Sequence, residues 1–113
     1  MKRILFFSVP LLIAFNLFAK EVYIDSGPNA QERLQEALIL IEEGDTLIIK
    51  SGYYKFEDGL SLDVDNVTVK GEGINSTILD FKNQQSGAQG LLVTSDRVTL
   101  SDFSILDAKG DAL

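Results

Sequence analysis

Asp65-Asn66-Val67-Thr68-Val69 and Asp96-Arg97-Val98-Thr99-Leu100 repeat one strand pattern at a spacing of 31, and each leads on to the tripeptide Ile-Leu-Asp, at 78–80 and again at 105–107. A repeat of a few tens of residues made of strand and turn implies a solenoid, because one such unit cannot bury its apolar face alone. Stacking the copies creates the core. Around the two segments apolar residues alternate with polar ones: Leu60, Leu62 and Val64, Val67 and Val69, then Leu91 and Val93, Val98 and Leu100, Phe103 and Ile105. Period two places every second side chain on one face of a strand. Val67 is therefore expected beneath Val98, in an aliphatic column.

Upstream of the repeat the period changes. Glu21-Val22-Tyr23-Ile24 reads as a first strand, closed by the turn formers Asp25-Ser26-Gly27-Pro28. Asn29 is the expected N-cap of a helix, with Glu32 three residues on. Leu34, Ala37, Leu38 and Ile41 recur at helical spacing until Gly44 stops the run. Gln31, Glu32, Gln35, Glu36, Glu42 and Glu43 make its other face polar. Such a helix laid over the first strands would cover an open sheet edge, so it is read as a cap. From Asp45 onward the chain is strand and turn.

Between Phe81 and Leu91 the stretch Lys82-Asn83-Gln84-Gln85-Ser86-Gly87-Ala88-Gln89-Gly90 is polar and lacks periodicity. It is expected to be a loop bulging from the solenoid. Leu91 and Leu113 each open an apolar stretch after a glycine-containing turn, at a spacing of 22. The nine residues 82–90 account for the difference from 31.

The start of the chain has the layout of a secretory signal peptide. Met1-Lys2-Arg3 is basic, Ile4 to Phe18 is an almost unbroken apolar run, and Ala19-Lys20-Glu21 returns to charge. The run is interrupted by Pro10 and Asn16 and is shorter than the roughly 20 residues of a spanning helix, so cleavage after Ala19 is expected. The organisation is then a leader at 1–19, a strand and capping helix at 20–44, and solenoid windings at 45–113, truncated at the C-terminus. Truncation is inferred from Lys109-Gly110-Asp111-Ala112-Leu113, which reads as the opening of another winding. An open edge there is a route to self-association.

Removing the leader takes away Lys2 and Arg3, leaving 8 basic residues against 17 acidic ones, a net charge of −9. An exported protein of that charge, periplasmic or extracellular, repels nucleic acid, and no stable membrane span remains once the leader is gone. The chain has no cysteine and no histidine. Disulfides, thiolate chemistry, zinc sites built on those ligands and serine–histidine nucleophiles are thereby excluded.

Taken in order, Leu34-Gln35-Glu36-Ala37, Gly44-Asp45-Thr46-Leu47-Ile48-Ile49, Ser51-Gly52-Tyr53-Tyr54, and Val67-Thr68-Val69-Lys70-Gly71-Glu72-Gly73 ahead of Thr77-Ile78-Leu79-Asp80 resemble the N-terminal portion of the pectin-lyase-like superfamily. The resemblance implies an all-β fold, a right-handed parallel β-helix (solenoid) with an N-terminal capping α-helix. It also implies a polysaccharide as partner, since most characterised members act on one. The catalytic coils of those enzymes lie downstream of the matching region, and fold alone does not supply a reaction. No catalytic residue is identified, and no cofactor other than calcium is indicated. The expected function is an exported carbohydrate-binding β-helix protein. The alternatives are the N-terminal part of a polysaccharide lyase or epimerase, and a structural surface scaffold.

Stacking in register would set Asp65 beneath Asp96 and Asp80 beneath Asp107, at about the 4.8 Å between neighbouring strands. Carboxylates that close need a proton, a cation or a basic neighbour, and these four are the candidate ligands of a Ca²⁺ ion. The competing reading has turn aspartates capping local backbone N–H groups, with Arg97 and Lys109 neutralising them. Ser61, Asp63, Thr68, Thr94 and Thr99 are the outward residues expected to line a polysaccharide-binding groove beside residues 82–90. Tyr53, Tyr54 and Phe56 offer either an aromatic platform for a sugar ring or simple packing. Gly71-Glu72-Gly73-Ile74-Asn75-Ser76 has the glycines of a phosphate loop, but a strand follows and Glu72 is repulsive, which favours a tight turn.

Overall fold

The computed structural model describes residues 19–106. Residues 1–18 of the expected leader lie outside them, as do Asp107, Lys109 and Leu113. Among the described residues nine strands and one helix follow one another: β1 (Glu21–Ile24), α1 (Ala30–Leu40), β2 (Thr46–Ile49), β3 (Gly52–Lys55), β4 (Asp58–Leu62), β5 (Thr68–Lys70), β6 (Thr77–Asp80), β7 (Ser86–Val93), β8 (Thr99–Ser101) and β9 (Ser104–Leu106). They form three parallel sheets, in the orders β1-β2-β5-β8, β3-β6-β9 and β4-β7. β1 and β2 share one sheet, and from β2 onward chain order distributes consecutive strands to the three sheets in turn. That arrangement lets parallel neighbours be joined without tight hairpins.

Register turns the alternating pattern into columns. Val22 lies opposite Leu47, Leu47 opposite Val69 and Val69 opposite Leu100. Tyr54, Leu79 and Ile105 form a second column, and Leu60 with Leu91 and Leu62 with Val93 start a third. Leu47 and Leu79 are wholly enclosed, whereas Leu100 and Ile105, in the last row, are half-buried. Full burial of one such side chain stabilises the fold by about 1.5–3 kcal/mol, so the middle rows contribute most. Phe56 and Phe81 stack with ring centroids 4.8 Å apart and carry the core to the turns after β3 and β6.

The spacing between paired strands is not constant, and three of the nine extra residues sit away from 82–90, where all nine were expected. Thr46 pairs with Thr68 at an offset of 22, Gly52 with Thr77 at 25, Asp58 with Ser86 at 28, and Leu60 with Leu91 at 31. Three residues are therefore gained at the turn containing Gly71–Ser76, three between β6 and β7, and three at a bulge inside β7. Residues 82–90 are not one loop, because Ser86 already pairs as strand. The next winding contracts again: Ile78 pairs with Ser104 at an offset of 26. Gly71 permits this tight stacking, since a Cβ there would lie 2.2 Å from the Asp102 carbonyl oxygen.

Helix α1 departs from expectation at both ends. Asn29 occupies the N-cap position in the left-handed region (φ 58°), and its side chain makes no capping hydrogen bond. Its carbonyl instead accepts the Arg33 N–H at 3.0 Å. Ile41 is extended and buried, so the helix ends before Gly44. Leu34 and Leu38 are buried against the strands. Two residues of the polar face are engaged as well. Gln31 accepts the Glu57 N–H at 2.9 Å and donates to the Asp58 carbonyl at 3.2 Å, and Gln35 does the same for Ser61, at 3.0 and 3.1 Å. These amides sit one turn apart on one helix face and take the place of a neighbouring strand along β4.

Candidate functional site

Sheet β3-β6-β9 exposes an aromatic side chain among polar neighbours and the half-buried Ile78. Alternation along β3 turns Tyr54 inward and leaves Tyr53 and Lys55 outward, with Tyr53 46 % exposed. The three aromatic candidates thus divide: Tyr54 and Phe56 belong to the core, and Tyr53 alone faces out. Register sets Tyr53 opposite Ile78 and Lys55 opposite Asp80. The Tyr53 hydroxyl donates to Asp80 Oδ2 at 2.5 Å, and the Lys82 N–H donates to Asp80 Oδ1 at 2.8 Å. Asp80 is nearly buried, which by itself would push its carboxyl up. The hydrogen bonds from Tyr53 and Lys82, with the charges of Lys82 and Lys55, outweigh that burial and hold it below the usual aspartate range.

Beside this pair runs a groove of about 390 Å³, bounded by Tyr53 and Lys55 on β3, Asn29 and Gln31 at the start of α1, and Ser26 and Asn83 from the adjoining turns. Half a tyrosine ring with amide, hydroxyl and ammonium groups and the carboxylates of Glu32 and Glu57 around it is suited to a ligand that is flat and apolar on its faces and polar at its edges. Asp80, kept ionised with donors on both oxygens, acts as an acceptor that fixes the ring. It is not arranged to give up a proton.

The other candidates fall in separate places. Asp65 and Asp96 do meet at the turn between sheets: the Asp96 N–H donates to Asp65 Oδ1 at 2.9 Å, and Arg97 Nη2 lies 3.9 Å from Asp65 Oδ2. Asn66 and Arg97, two residues before the paired Thr68 and Thr99, both adopt left-handed backbone there, with φ of 59° and 58°. Among the described residues no three His, Cys, Asp or Glu side chains are grouped to hold a metal. Asp80 lies opposite Leu106, one place short of Asp107, because the turn before β9 is too short for the expected register. Thr68 and Thr99 pair in the sheet of β2, and Thr46 precedes them in the same row. Ser61 belongs instead to the sheet of β4, opposite Leu92, and Thr94 donates its N–H to the Leu62 carbonyl at 3.0 Å. With Asp63 just past the end of β4, the five residues are divided between two sheets.

Two polar pairs carry no local sequence signal, because their members stand 27 and 25 residues apart: Tyr53 with Asp80, and Lys20 with Asp45. Thr77 is a third case. Wholly buried, its hydroxyl bridges the Ile49 carbonyl and the Glu72 N–H and so fastens the Gly71–Ser76 turn. Among the described residues no helix is long and apolar enough to cross a membrane. Comparison of the chain with protein-family models, curated proteins and solved structures returned no significant match.

Proposed function

We propose that the chain is an exported right-handed parallel β-helix, capped at its N-terminal end by α1, that binds polysaccharide on the outward face of β3 and β6. The solenoid reading is supported by strands that visit three parallel sheets in turn and by the glutamine pairs that complete the edge of β4. The binding reading is carried by one observation. Tyr53, 46 % exposed, is pinned by a buried carboxylate beside a polar groove. An aromatic ring held in one orientation loses little conformational entropy when a sugar ring stacks on it. Its neighbours Lys55 and Asn29 can serve hydroxyls at the sugar's rim.

Affinity electrophoresis of the exported protein through gels containing neutral and uronate polysaccharides tests the proposal. Retardation by at least one polymer is expected. Tyr53→Ala should reduce the affinity about tenfold or more, and Tyr53→Phe, which keeps the ring, should lose less. Unretarded migration through every polymer, or a Tyr53→Ala variant that binds like the parent, would sink it.

A further inference from the structure

Asp45, in the turn that opens β2, is 1 % exposed. Its Oδ1 accepts the backbone N–H of Lys20 at 3.0 Å, and its Oδ2 accepts Lys20 Nζ and the Glu42 N–H, both at 3.0 Å. So enclosed a carboxylate needs donors on its lone pairs, preferably charged ones. Two of these three donors come from a single residue. Lys20 is also the residue immediately after the expected cleavage point, and its main chain is fixed: the Thr46 N–H donates to its carbonyl at 3.0 Å, and Glu21 pairs with Thr46 at the start of β1.

We infer that Asp45 is the receptor for a new N-terminus created at Lys20 by processing, an inference that rests on reading residues 1–19 as a cleaved leader. Hydrolysis by a leader peptidase breaks the Ala19–Lys20 C–N bond. The oxygen of water joins the Ala19 carbonyl carbon, which leaves as a carboxylate, and the Lys20 nitrogen takes up protons to become an ammonium. A neutral amide donor, already 3.0 Å from Asp45 Oδ1, thereby becomes a cationic one. Charge-assisted hydrogen bonds are about twice as strong as neutral ones.

The charged groups around that nitrogen favour the change. Asp45 and Glu42 attract it, and Lys20 Nζ, which repels it, is itself held by Asp45 Oδ2 at 3.0 Å and Glu42 Oε1 at 3.6 Å. Across the adjoining groove stand Glu36 and Arg33, the latter paired with Asp25 at 3.2 Å, while Glu21 follows along the chain. The processed protein is thus held more firmly at its N-terminal end than the precursor.

The test uses the protein isolated after export, its first residue identified by intact mass and its amines labelled by reductive ¹³C-methylation for NMR titration. A product beginning at Lys20 is expected, with the α-amine titrating at least one unit above the ordinary range of about 7.7–8.0. A second product, exported with its cleavage point shifted so that it begins at Ala19, should titrate within that range. Stability of the Lys20 form should exceed that of the Ala19 form below about pH 8 and lose the advantage as pH rises through the raised α-amine value. An α-amine of ordinary titration in a folded chain beginning at Lys20 would overturn the inference and leave the leader reading standing. A product that begins at Met1 would overturn the leader reading and the inference with it, and a natural product cut at another bond would overturn the inference alone.

Discussion

The single residue that ties the most parts together is Tyr54. Its ring is enclosed in the core, while its hydroxyl donates to the Lys50 carbonyl at 2.7 Å and reaches the Ile24 carbonyl at 3.2 Å, linking the ends of β1 and β2. Burial disfavours the phenolate and pushes the phenol up to about 12 from its ordinary 10.0. Because the folded value is the higher one, the folded state binds more protons between those two pH values. The contribution is whole below pH 10 and is lost as pH rises toward 12, a change on the order of 2–3 kcal/mol. Tyrosinate absorbance and urea unfolding followed together should show ionisation coupled to loss of structure. Tyr54→Phe should remove that alkaline sensitivity while costing about 1–2 kcal/mol at neutral pH, for the two carbonyls left without the hydroxyl. A parent protein whose stability is flat from pH 9 to 12 would contradict the assignment.

At the scale of elements, the helix shows how far the sequence could be read. Leu34 and Leu38 announce the buried face through their spacing, because core-facing residues on a helix must recur every three to four positions. Gln31 and Gln35 announce nothing, since a polar residue on a helix looks the same whether it faces water or a strand edge. Their four hydrogen bonds to Glu57, Asp58 and Ser61 became visible when the helix was set beside β4. Asn29 fails for a related reason: its residue type suits an N-cap, but left-handed backbone aims its side chain away from the free N–H groups. Strand rows were legible where the spacing held, as for Val69 and Leu100, and slipped by one at Asp80, where it changed from 31 to 26. Gln31→Ala combined with Gln35→Ala should cost about 2 kcal/mol in urea unfolding, since each exchange loses net hydrogen bonding of about 1 kcal/mol. The bared edge of β4 should also promote self-association, read by sedimentation. A double variant as stable and as monomeric as the parent would show the helix to be held by Leu34 and Leu38 alone.

Over the whole molecule two electrostatic effects oppose each other as pH falls, and their difference in sign decides which governs stability. General repulsion among 17 acidic and 10 basic residues favours expansion at neutral pH, and protonation relieves it down to the isoelectric point near 4.4, so over that range this effect alone makes acid stabilising. Specific pairing acts the other way. Burial would raise the carboxyls of Asp45 and Asp80, but the donors on each prevail: Lys20 and the Glu42 N–H for Asp45, Tyr53 and the Lys82 N–H for Asp80. The Gly27 N–H lowers Asp25, and the Ser51 N–H lowers Glu72, which it meets at 2.6 Å. All four lie below their ordinary values of 3.8 for aspartate and 4.5 for glutamate, so around those values the unfolded chain binds more protons than the folded one. Their contribution is whole above about pH 5 and is lost as pH falls through the depressed folded values. These pairs join β1 to α1, the start of β2 to the chain before β1, and the chain around β3 to the chain around β6, so protonation loosens these three junctions together. Specific pairing should therefore win, and the urea midpoint should be level from pH 7 to 5 and fall below pH 4 with an unchanged denaturant slope. A midpoint that rises on acidification would mean that diffuse repulsion outweighs the four paired carboxylates.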